Sequence, residues 1–249
     1  MTSEAYLTID DSPCVHTHDL LDAFKARELH ALFFCRGDFL EADPQPMIRA
    51  VGEGHILANH LYSHQSIGEA GLSFDEIIEE ITRTETLIDK VYRSAGEEKP
   101  FQALRFPYLD RGDGTRLERV YHELISGERT TLPGDDLVRR IQEWLKAEGY
   151  EQPFEQITHP LYELKDIARA RDSLLTYTSN DWMLTPRHIG REAHKSLNDL
   201  KEKIDNDPFL TLEGSRHIVL FHDDREGIAE TVAALLDHMI TCGVKFLTY

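Results

Sequence analysis

Seven short apolar runs recur along the chain, separated by segments in which apolar positions follow a helical spacing. The runs have the length and residue content of buried strands. They lie at 6–9, 31–35, 55–58, 103–106, 173–178, 217–221 and 244–247. The helical spacing predicts helices at 19–28, 46–52, 73–92, 116–125, 135–148 and 226–242. Strands separated by helices predict an α/β fold with a parallel sheet or barrel inside and helices outside.

The segment 109–172 fits this alternation least well, because two helical stretches are followed there by a piece rich in proline and aromatic residues. We interpret it as an insertion over one rim of a single domain that spans 1–249. Loops on the rim of such folds often carry functional residues, so this segment is expected to influence what the rim can bind. Ser73 and Glu76 form a capping-box pattern that marks the start of the long helix before it.

Two adjacent carboxylates, Asp10 and Asp11, directly follow the first apolar run. Neighbouring residues of an extended strand point to opposite sides, so a regular strand would give the two carboxylates different tasks. Carboxylates at the end of a core strand are costly to bury unless a metal ion or a partner binds them. An Asp-rich turn that caps a helix is the alternative for this segment taken alone.

His60 and His64 form an H-x-x-x-H pair after the third apolar run. On a helical turn, residues four apart share a face, so both imidazoles can reach one ion. The pair lacks the intervening Glu of H-E-x-x-H metalloproteases, and two surface histidines are an equally simple explanation. Asp11 is a candidate third ligand, since two histidines and one carboxylate with open positions form a catalytic metal site.

Five polar or aromatic residues and one leucine also stand near the ends of three later strands, where sites assemble in parallel α/β folds. These residues are Arg105 and Tyr108, Asp181 and Trp182, and Leu220 and His222. Each alone is explained as well by a surface ion pair, an aromatic residue at the rim or a structural histidine. Their order along the chain, after the Asp pair and the His pair, is the more specific signal.

The motifs D-D, N-H-x-x-S-H, R-x-P-Y, D-W and L-x-H, in this order, resemble those of the polysaccharide deacetylases of the NodB-homology type, carbohydrate esterase family 4. The resemblance covers 6–247 apart from the insertion. It implies a distorted (β/α)7-type barrel with one divalent metal ion in its mouth, usually zinc, with cobalt, nickel or manganese as alternatives. It also implies hydrolysis of N-acetyl groups on an amino-sugar glycan similar to peptidoglycan, chitin or poly-N-acetylglucosamine.

Several matched residues acquire roles from this resemblance. Asp11, His60 and His64 would bind the metal ion, and Asp10 would be the general base, held in place by Arg105. A metal ion lowers the pKa of its bound water to about 7, so a modest base is sufficient.

The remaining matched residues would act on the amide. The backbone N–H of Tyr108 would stabilise the oxyanion, and His222, tuned by Asp181, would protonate the leaving amine. Trp182 and Leu220 would line the pocket for the acetyl methyl group. An amide nitrogen is a poor leaving group, which is why an acid is required.

The sequence departs from the family pattern at three positions. Ser12 replaces the usual Gly after the Asp pair, and Leu61 replaces a Thr or Ser between the two histidines. Thr178 stands where the first Asp of a D-x-x-D-W motif is expected, which weakens the alignment of Asp181.

The composition restricts partners and location. A net charge of −18 argues against nucleic acid or an anionic membrane as a partner. Three cysteines without a C-x-x-C spacing argue against a disulfide framework or a thiolate zinc site, so we expect free thiols. The absence of a basic, apolar leader or a membrane-length apolar stretch predicts a cytoplasmic protein, unless a leader is missing from this sequence.

Two alternative functions remain open. A small amide or imide could be the substrate of the same fold, as a cytoplasmic location would favour. A catalytically silent carbohydrate-binding or metal-binding protein is the other, although it would need neither Asp10 nor His222.

Overall fold

The computed structural model describes residues 2–112, 123, 126–128, 136–223 and 227–249. The strands in this part of the chain are β1 Ser3–Ser12, β2 Leu32–Cys35, β3 Ile56–Asn59, β4 Tyr177–Thr178, β5 Arg216–His222 and β6 Val244–Leu247. The helices are α1 Thr17–Lys25, α2 Gly37–Ala42, α3 Gln45–Gly52, α4 Ile67–Ala70, α5 Phe74–Ala95, α6 Asp136–Ala147, α7 Lys165–Ala168, α8 Leu197–Asn206 and α9 Ile228–Thr241. Within these ranges, no helix combines the length and the apolar character needed to cross a lipid bilayer.

The strands pair in parallel in the order β3-β2-β1-β5-β4, and β6 also pairs with β1. Strand β5 runs along β1 from Glu4 to Asp10. On the other edge of β1, β6 pairs with Ser3–Tyr6 and β2 pairs with Thr8–Ser12. Strand β1 therefore forms the centre of the sheet, and its carboxyl end lies between β2 and β5.

Extended segments, rather than full strands, connect β3 to β4. The N–H of Asn59 donates to the carbonyl of Ala103 at 2.9 Å, and the N–H of Ser173 donates to the carbonyl of Leu104. The predicted strand at 103–106 is wrong as a regular element, because its pairing with β3 is an isolated bridge and a turn starts at Pro107. The predicted strand at 173–178 shortens to β4. These weak connections close a distorted barrel, and the predicted fold class is confirmed.

Alternate residues of the strands face two different sides. Val219 and Phe221 of β5 pack with Leu7 and Ile9 of β1 in the cluster that faces α1 and α9. Ile218 and Leu220 belong to a separate cluster on the inner side. In the same register, Thr8 and Asp10 of β1 also point inward. The alternation therefore directs polar side chains into the barrel.

Several helix predictions are confirmed. Ser73 and Glu76 form the capping box at the start of α5, with each side chain bonded to the other's backbone N–H. Helices α2 and α8 were not predicted, because α2 has only six residues and α8 has a largely polar sequence. A Cβ on Gly37 would lie 2.6 Å from a ring carbon of Tyr62, so only glycine fits this approach.

The described part of the 109–172 segment packs against the barrel. Ile141 and Leu145 of α6 share a cluster with Ile77 and Ile81 of α5. Phe154 lies with its ring centroid 5.5 Å from that of Tyr6, inside the barrel. The predicted helix at 116–125 lies outside the described residues except for Glu123, as do the first residues of the predicted helices at 135–148 and 226–242. A single domain with this insertion remains a prediction.

Candidate active site

A bulge at the end of β1 turns two adjacent carboxylates toward the same place. Asp10 aligns with Phe34 of β2 and Ser12 with Cys35, which leaves Asp11 as an extra residue with a φ of 70°. The alternation of a regular strand is therefore lost between the two aspartates. Asp10 Oδ2 and Asp11 Oδ1 each lie 3.7 Å from His60 Nε2.

The two histidines lie on an irregular loop after β3 and not on a helical turn. Leu61 and His64 have positive φ angles of 61° and 56°, which fold the loop back on itself. Glu80 of α5 holds this loop, because its Oε2 accepts hydrogen bonds from the N–H groups of Tyr62 and Ser63 at 3.0 and 2.7 Å. As a result, the ring centroids of His60 and His64 are 5.0 Å apart.

Asp11, His60 and His64 form a cluster with the donor atoms of a metal site. One potential ligand atom from each lies within 4.8 Å of the others. His60 Nδ1 donates to the carbonyl of Arg105 at 2.7 Å, which leaves the Nε2 lone pair directed at the two aspartates. Burial lowers the pKa of His60 to about 4, so its imidazole is neutral at pH 7 and can bind a metal ion.

One oxygen of this cluster has no hydrogen bond. His64 Nε2 comes within 2.9 Å of Asp11 Oδ1, and no described group makes a regular hydrogen bond to that oxygen. Burial raises the pKa of Asp11, but the close contact with His64 and the charges of His64 and His222 outweigh it and hold the pKa far below its usual value. Asp11 is therefore an anion with a lone pair available for a cation.

Arg105 crosses the interior of the barrel and is fully buried. Its Nη1 donates to Asp10 Oδ1 at 2.8 Å and to Thr8 Oγ1 at 3.0 Å. Its Nε and Nη2 donate to the carbonyls of Ser173 and Leu174 at 3.3 and 3.2 Å. The guanidinium thus fixes one oxygen of Asp10 and leaves the other facing His60.

His222 ends β5 opposite this cluster and is paired with Asp181. Its Nδ1 lies 2.8 Å from Asp181 Oδ1. Burial would lower the pKa of His222, but the charge and hydrogen bond of Asp181, with the charges of Asp11 and Asp10, raise it to about 10. The imidazole is therefore protonated at neutral pH. The structure brings Asp181 to His222 even though Thr178 replaces the first Asp of the motif.

The other predicted residues lie on the rim and in the barrel wall. Tyr108 has a φ of 57°, and its ring centroid is 4.9 Å from that of His64. Among the described residues, its backbone N–H has no hydrogen-bond partner. Trp182 follows Asp181 and packs edge-on against His188 at 5.1 Å. Leu220 is buried in the inner cluster, two residues before His222.

Asp223, to which the sequence analysis gave no role, holds the end of β1. Its carboxylate accepts hydrogen bonds from Ser12 Oγ at 3.0 Å, from Thr17 Oγ1 at 2.5 Å and from Cys14 Sγ at 3.2 Å. Its N–H donates to the carbonyl of Asp10 at 2.9 Å. Ser12, a departure from the family pattern, thus takes part in the fixation of the bulge. These contacts join residues more than 200 positions apart, so no local pattern could have indicated them.

Comparison with known proteins relates this arrangement to a family. Residues 2–124 match the family model described as polysaccharide deacetylase. The chain is 35% identical to the peptidoglycan-N-acetylglucosamine deacetylase of Bacillus cereus over 90 residues. This stretch covers 36% of this chain and 32% of that protein. The chain spans only about a third of the length of the curated relatives that it matches.

The fold is also that of solved deacetylases. The polysaccharide deacetylase Bc1974 from Bacillus cereus is 20% identical with a TM-score of 0.61, and the likeness covers 99% of this chain and 92% of that one. The family 4 carbohydrate esterase from Streptomyces lividans is 18% identical with a TM-score of 0.59, covering 97% and 90%. These findings confirm that the chain resembles the polysaccharide deacetylases of the NodB-homology type, in sequence over its first half and in fold over nearly all its length.

Proposed function

We propose that this protein is a metal-dependent hydrolase that removes N-acetyl groups from an amino-sugar glycan. The observation that carries this proposal is the bulge at Asp11, which places two aspartates beside His60 while Arg105 and His222 engage the same region. The matched relative from Bacillus cereus is a peptidoglycan-N-acetylglucosamine deacetylase, which supports this substrate class.

The donor set fits a divalent transition-metal ion. Asp11 Oδ1 is buried and unbonded, and His60 Nε2 is free because Nδ1 is committed to a carbonyl. With His64, these atoms form the set of two imidazoles and one carboxylate that suits zinc, and cobalt, nickel or manganese can bind the same donors. When bound, the ion would lower the pKa of water and polarise the acetamide carbonyl.

Asp10 is suited to take the proton of the attacking water. Its Oδ1 is held by Arg105 at 2.8 Å, while its Oδ2 faces the cluster, 3.7 Å from His60 Nε2. The fixed carboxylate presents a single oxygen to the site, which reduces the reorganisation required for proton transfer. Arg105 acts through Asp10 and is a positioning residue in this scheme.

His222 is suited to supply the proton that the leaving amine requires. The contact with Asp181 keeps its imidazole charged at neutral pH and fixes the direction of its ring. The N–H of Tyr108, which bonds to none of the described residues, could donate to the developing oxyanion. Trp182 and Leu220 would form the walls of the pocket for the acetyl methyl group.

A neutral or cationic glycan is compatible with the charge of the chain. The net charge of −18 disfavours anionic polymers and favours a product that gains an amine. The 109–172 segment, inserted in one domain of 1–249, would shape the groove along the rim. Its described part packs against α5, whose Glu80 holds the loop of the two histidines, and also joins the inner cluster.

Acetate release from N-acetylglucosamine oligomers by the zinc-loaded protein tests the proposal. Asp10→Asn is expected to lower the rate by about 10²- to 10⁴-fold, the usual contribution of a general base. Asp19→Asn, an exposed carboxylate on α1, is the matched control and should retain the parent rate. An unchanged rate in Asp10→Asn would show that the assigned base is wrong. Activity on small N-acyl compounds alone would replace the glycan with a small amide.

A further inference from the structure

A second group of metal-ligand side chains lies where helix α8 meets the carboxyl end of α9. His238 Nε2 is 2.7 Å from Asp205 Oδ1, and Cys242 Sγ is 3.5 Å from the same oxygen. One potential ligand atom from each residue lies within 4.8 Å of the others. His238 and Cys242 are half-buried and Asp205 is exposed, so the cluster is open to solvent on one side.

This cluster lies at the opposite end of the barrel from the candidate active site. Gly243, next to Cys242, accepts a hydrogen bond from the N–H of Ser3 at the start of β1. Asp10 lies seven residues further along the same strand. At about 3.3 Å per residue, the two regions are roughly 23 Å apart. The two sets of side chains therefore cannot share an ion.

We propose that Asp205, His238 and Cys242 form a second metal site, selective for zinc or a similar thiophilic ion. His238 and Cys242 are four residues apart at the end of one helix, so their side chains lie on the same face. Asp205 is supplied by the neighbouring helix, which packs against α9. A thiolate, an imidazole and a carboxylate bind zinc tetrahedrally and leave the fourth position to water. Because magnesium and calcium prefer oxygen ligands, the thiolate disfavours binding of either ion at this site.

Only small side-chain movements are required for binding. Bonds of about 2.0 Å to nitrogen and oxygen at a tetrahedral angle separate these ligand atoms by about 3.3 Å. The present separation of 2.7 Å between His238 and Asp205 would therefore open slightly, which the solvent-facing positions permit. The thiol of Cys242 would lose its proton to solvent when the ion binds. The ion would tie α8 to the end of α9, just before β6.

The sequence analysis predicted free thiols without a function, and the proposed site changes that prediction for one of the three cysteines. Cys35 is fully buried, and Cys14 contacts Asp223 near the candidate active site. Cys242 alone among the three lies in a cluster that also offers a histidine and a carboxylate within reach. None of the three cysteines is a predicted ligand of the first site. A spectroscopic signal from a metal-bound thiolate therefore distinguishes the second site from the first.

Cobalt titration of the metal-free protein tests this site. The parent is expected to develop a near-ultraviolet thiolate-to-cobalt charge-transfer band, and Cys242→Ser is expected to lose that band and one equivalent of bound metal. His238→Ala should weaken cobalt binding at the same band. Two controls should retain the band: Cys14→Ser, which removes the other partly exposed thiol, and Asp11→Asn, which disables the first site.

Thermal unfolding provides a second readout that does not depend on activity. In the Asp11→Asn background, added zinc should raise the melting temperature, and Cys242→Ser in that background should abolish the rise. The absence of a thiolate band in the folded parent, or a band unchanged in Cys242→Ser, would refute the second site. Because neither readout involves acetate release, such a result would leave the proposed deacetylase function unaffected.

Discussion

His222 is bonded twice to the same carboxylate: its Nδ1 lies 2.8 Å from Asp181 Oδ1, and its backbone N–H donates to Asp181 Oδ2 at 3.0 Å. The side chain and the main chain of one residue are therefore held by a single aspartate. This double contact fixes the ring and stabilises its charge. It connects the carboxyl end of β5 to the short helical segment that starts at Asp181.

Asp181→Asn should change the pH dependence of the reaction. The charge of Asp181 favours the protonated form of His222, so its removal lowers the pKa from about 10. His222 then loses its proton at a lower pH, so the alkaline limb of the kcat/KM profile should shift to lower pH. A pH–rate profile of both proteins measures this shift. An alkaline limb at the same pH in both would show that His222 is not the group that titrates there.

Glu80→Ala should weaken metal binding by the first site without removal of any predicted ligand. Its carboxylate fixes the N–H groups of Tyr62 and Ser63, so its loss loosens the loop that carries His64. The loss of such a supporting contact typically costs about 10- to 100-fold in metal affinity. Zinc titration in a Cys242→Ser background would measure the first site alone.

Two variants control the Glu80 experiment. Glu79→Ala removes an exposed carboxylate from the adjacent position of α5 and should leave zinc affinity unchanged. Glu80→Gln retains an acceptor oxygen and should recover part of the affinity. Equal losses in Glu79→Ala and Glu80→Ala would point to general electrostatics instead of loop fixation.

Arg105→Met should destabilise the protein strongly, because it leaves Asp10 buried without its cation. Loss of one partner of a buried ion pair costs about 3–5 kcal/mol in the free energy of unfolding. Asp10→Asn removes the orphaned charge, so the double variant should be less destabilised than the sum of the two single variants. Urea unfolding of all four proteins gives this coupling. Strictly additive free energies would mean that the contact of 2.8 Å contributes no net interaction.

His55 should make the folded state sensitive to acid. Its Nδ1 accepts a hydrogen bond from the N–H of Ala31 at 3.1 Å, and burial lowers its pKa to about 4. In the unfolded chain His55 binds a proton near pH 6.5. Its contribution to the free energy of unfolding is therefore fully present above that pH and is lost between about pH 6.5 and pH 4. The loss is on the order of 3 kcal/mol.

The His55→Asn variant offers a direct measurement of that proton. Asn can retain the acceptor toward Ala31 but cannot be protonated, so the stability of the variant should depend less on pH between 6.5 and 4. Urea unfolding across this pH range, with the partly exposed His194→Asn as the control, provides the comparison. Identical pH slopes for the parent and His55→Asn would exclude His55 as the source.

The positions of most elements followed from periodicity, because buried strands and amphipathic helices leave a local signal. Helix α8 was not predicted, because only Leu200 and Ile204 of its ten residues are buried and the apolar periodicity is therefore weak. The extended run around Leu104 was predicted as a strand, but its neighbours pair with it only through isolated bridges. Local composition indicates an extended conformation and does not reveal the number of pairing partners.

The candidate site residues were chosen from the order of the motifs, but that order did not predict their geometry. The bulge at Asp11 depends on the contacts that Ser12 and Thr17 make with Asp223, a residue near the other end of the sequence. The loop of His64 depends on Glu80, which reads as an ordinary charged residue of an amphipathic helix. Such long-range hydrogen bonds decide the direction of the ligands, and a linear pattern cannot reveal them.

Arg105 serves both halves of the proposed chemistry from a single position. Its carbonyl selects the tautomer of His60, and its guanidinium orients Asp10. A displacement of this one residue would disturb the cation ligand and the proton acceptor together. Engineering that aims to exchange the metal while preserving the base, or the reverse, must therefore leave the main chain at 105 in place and work from the loop of His64 instead.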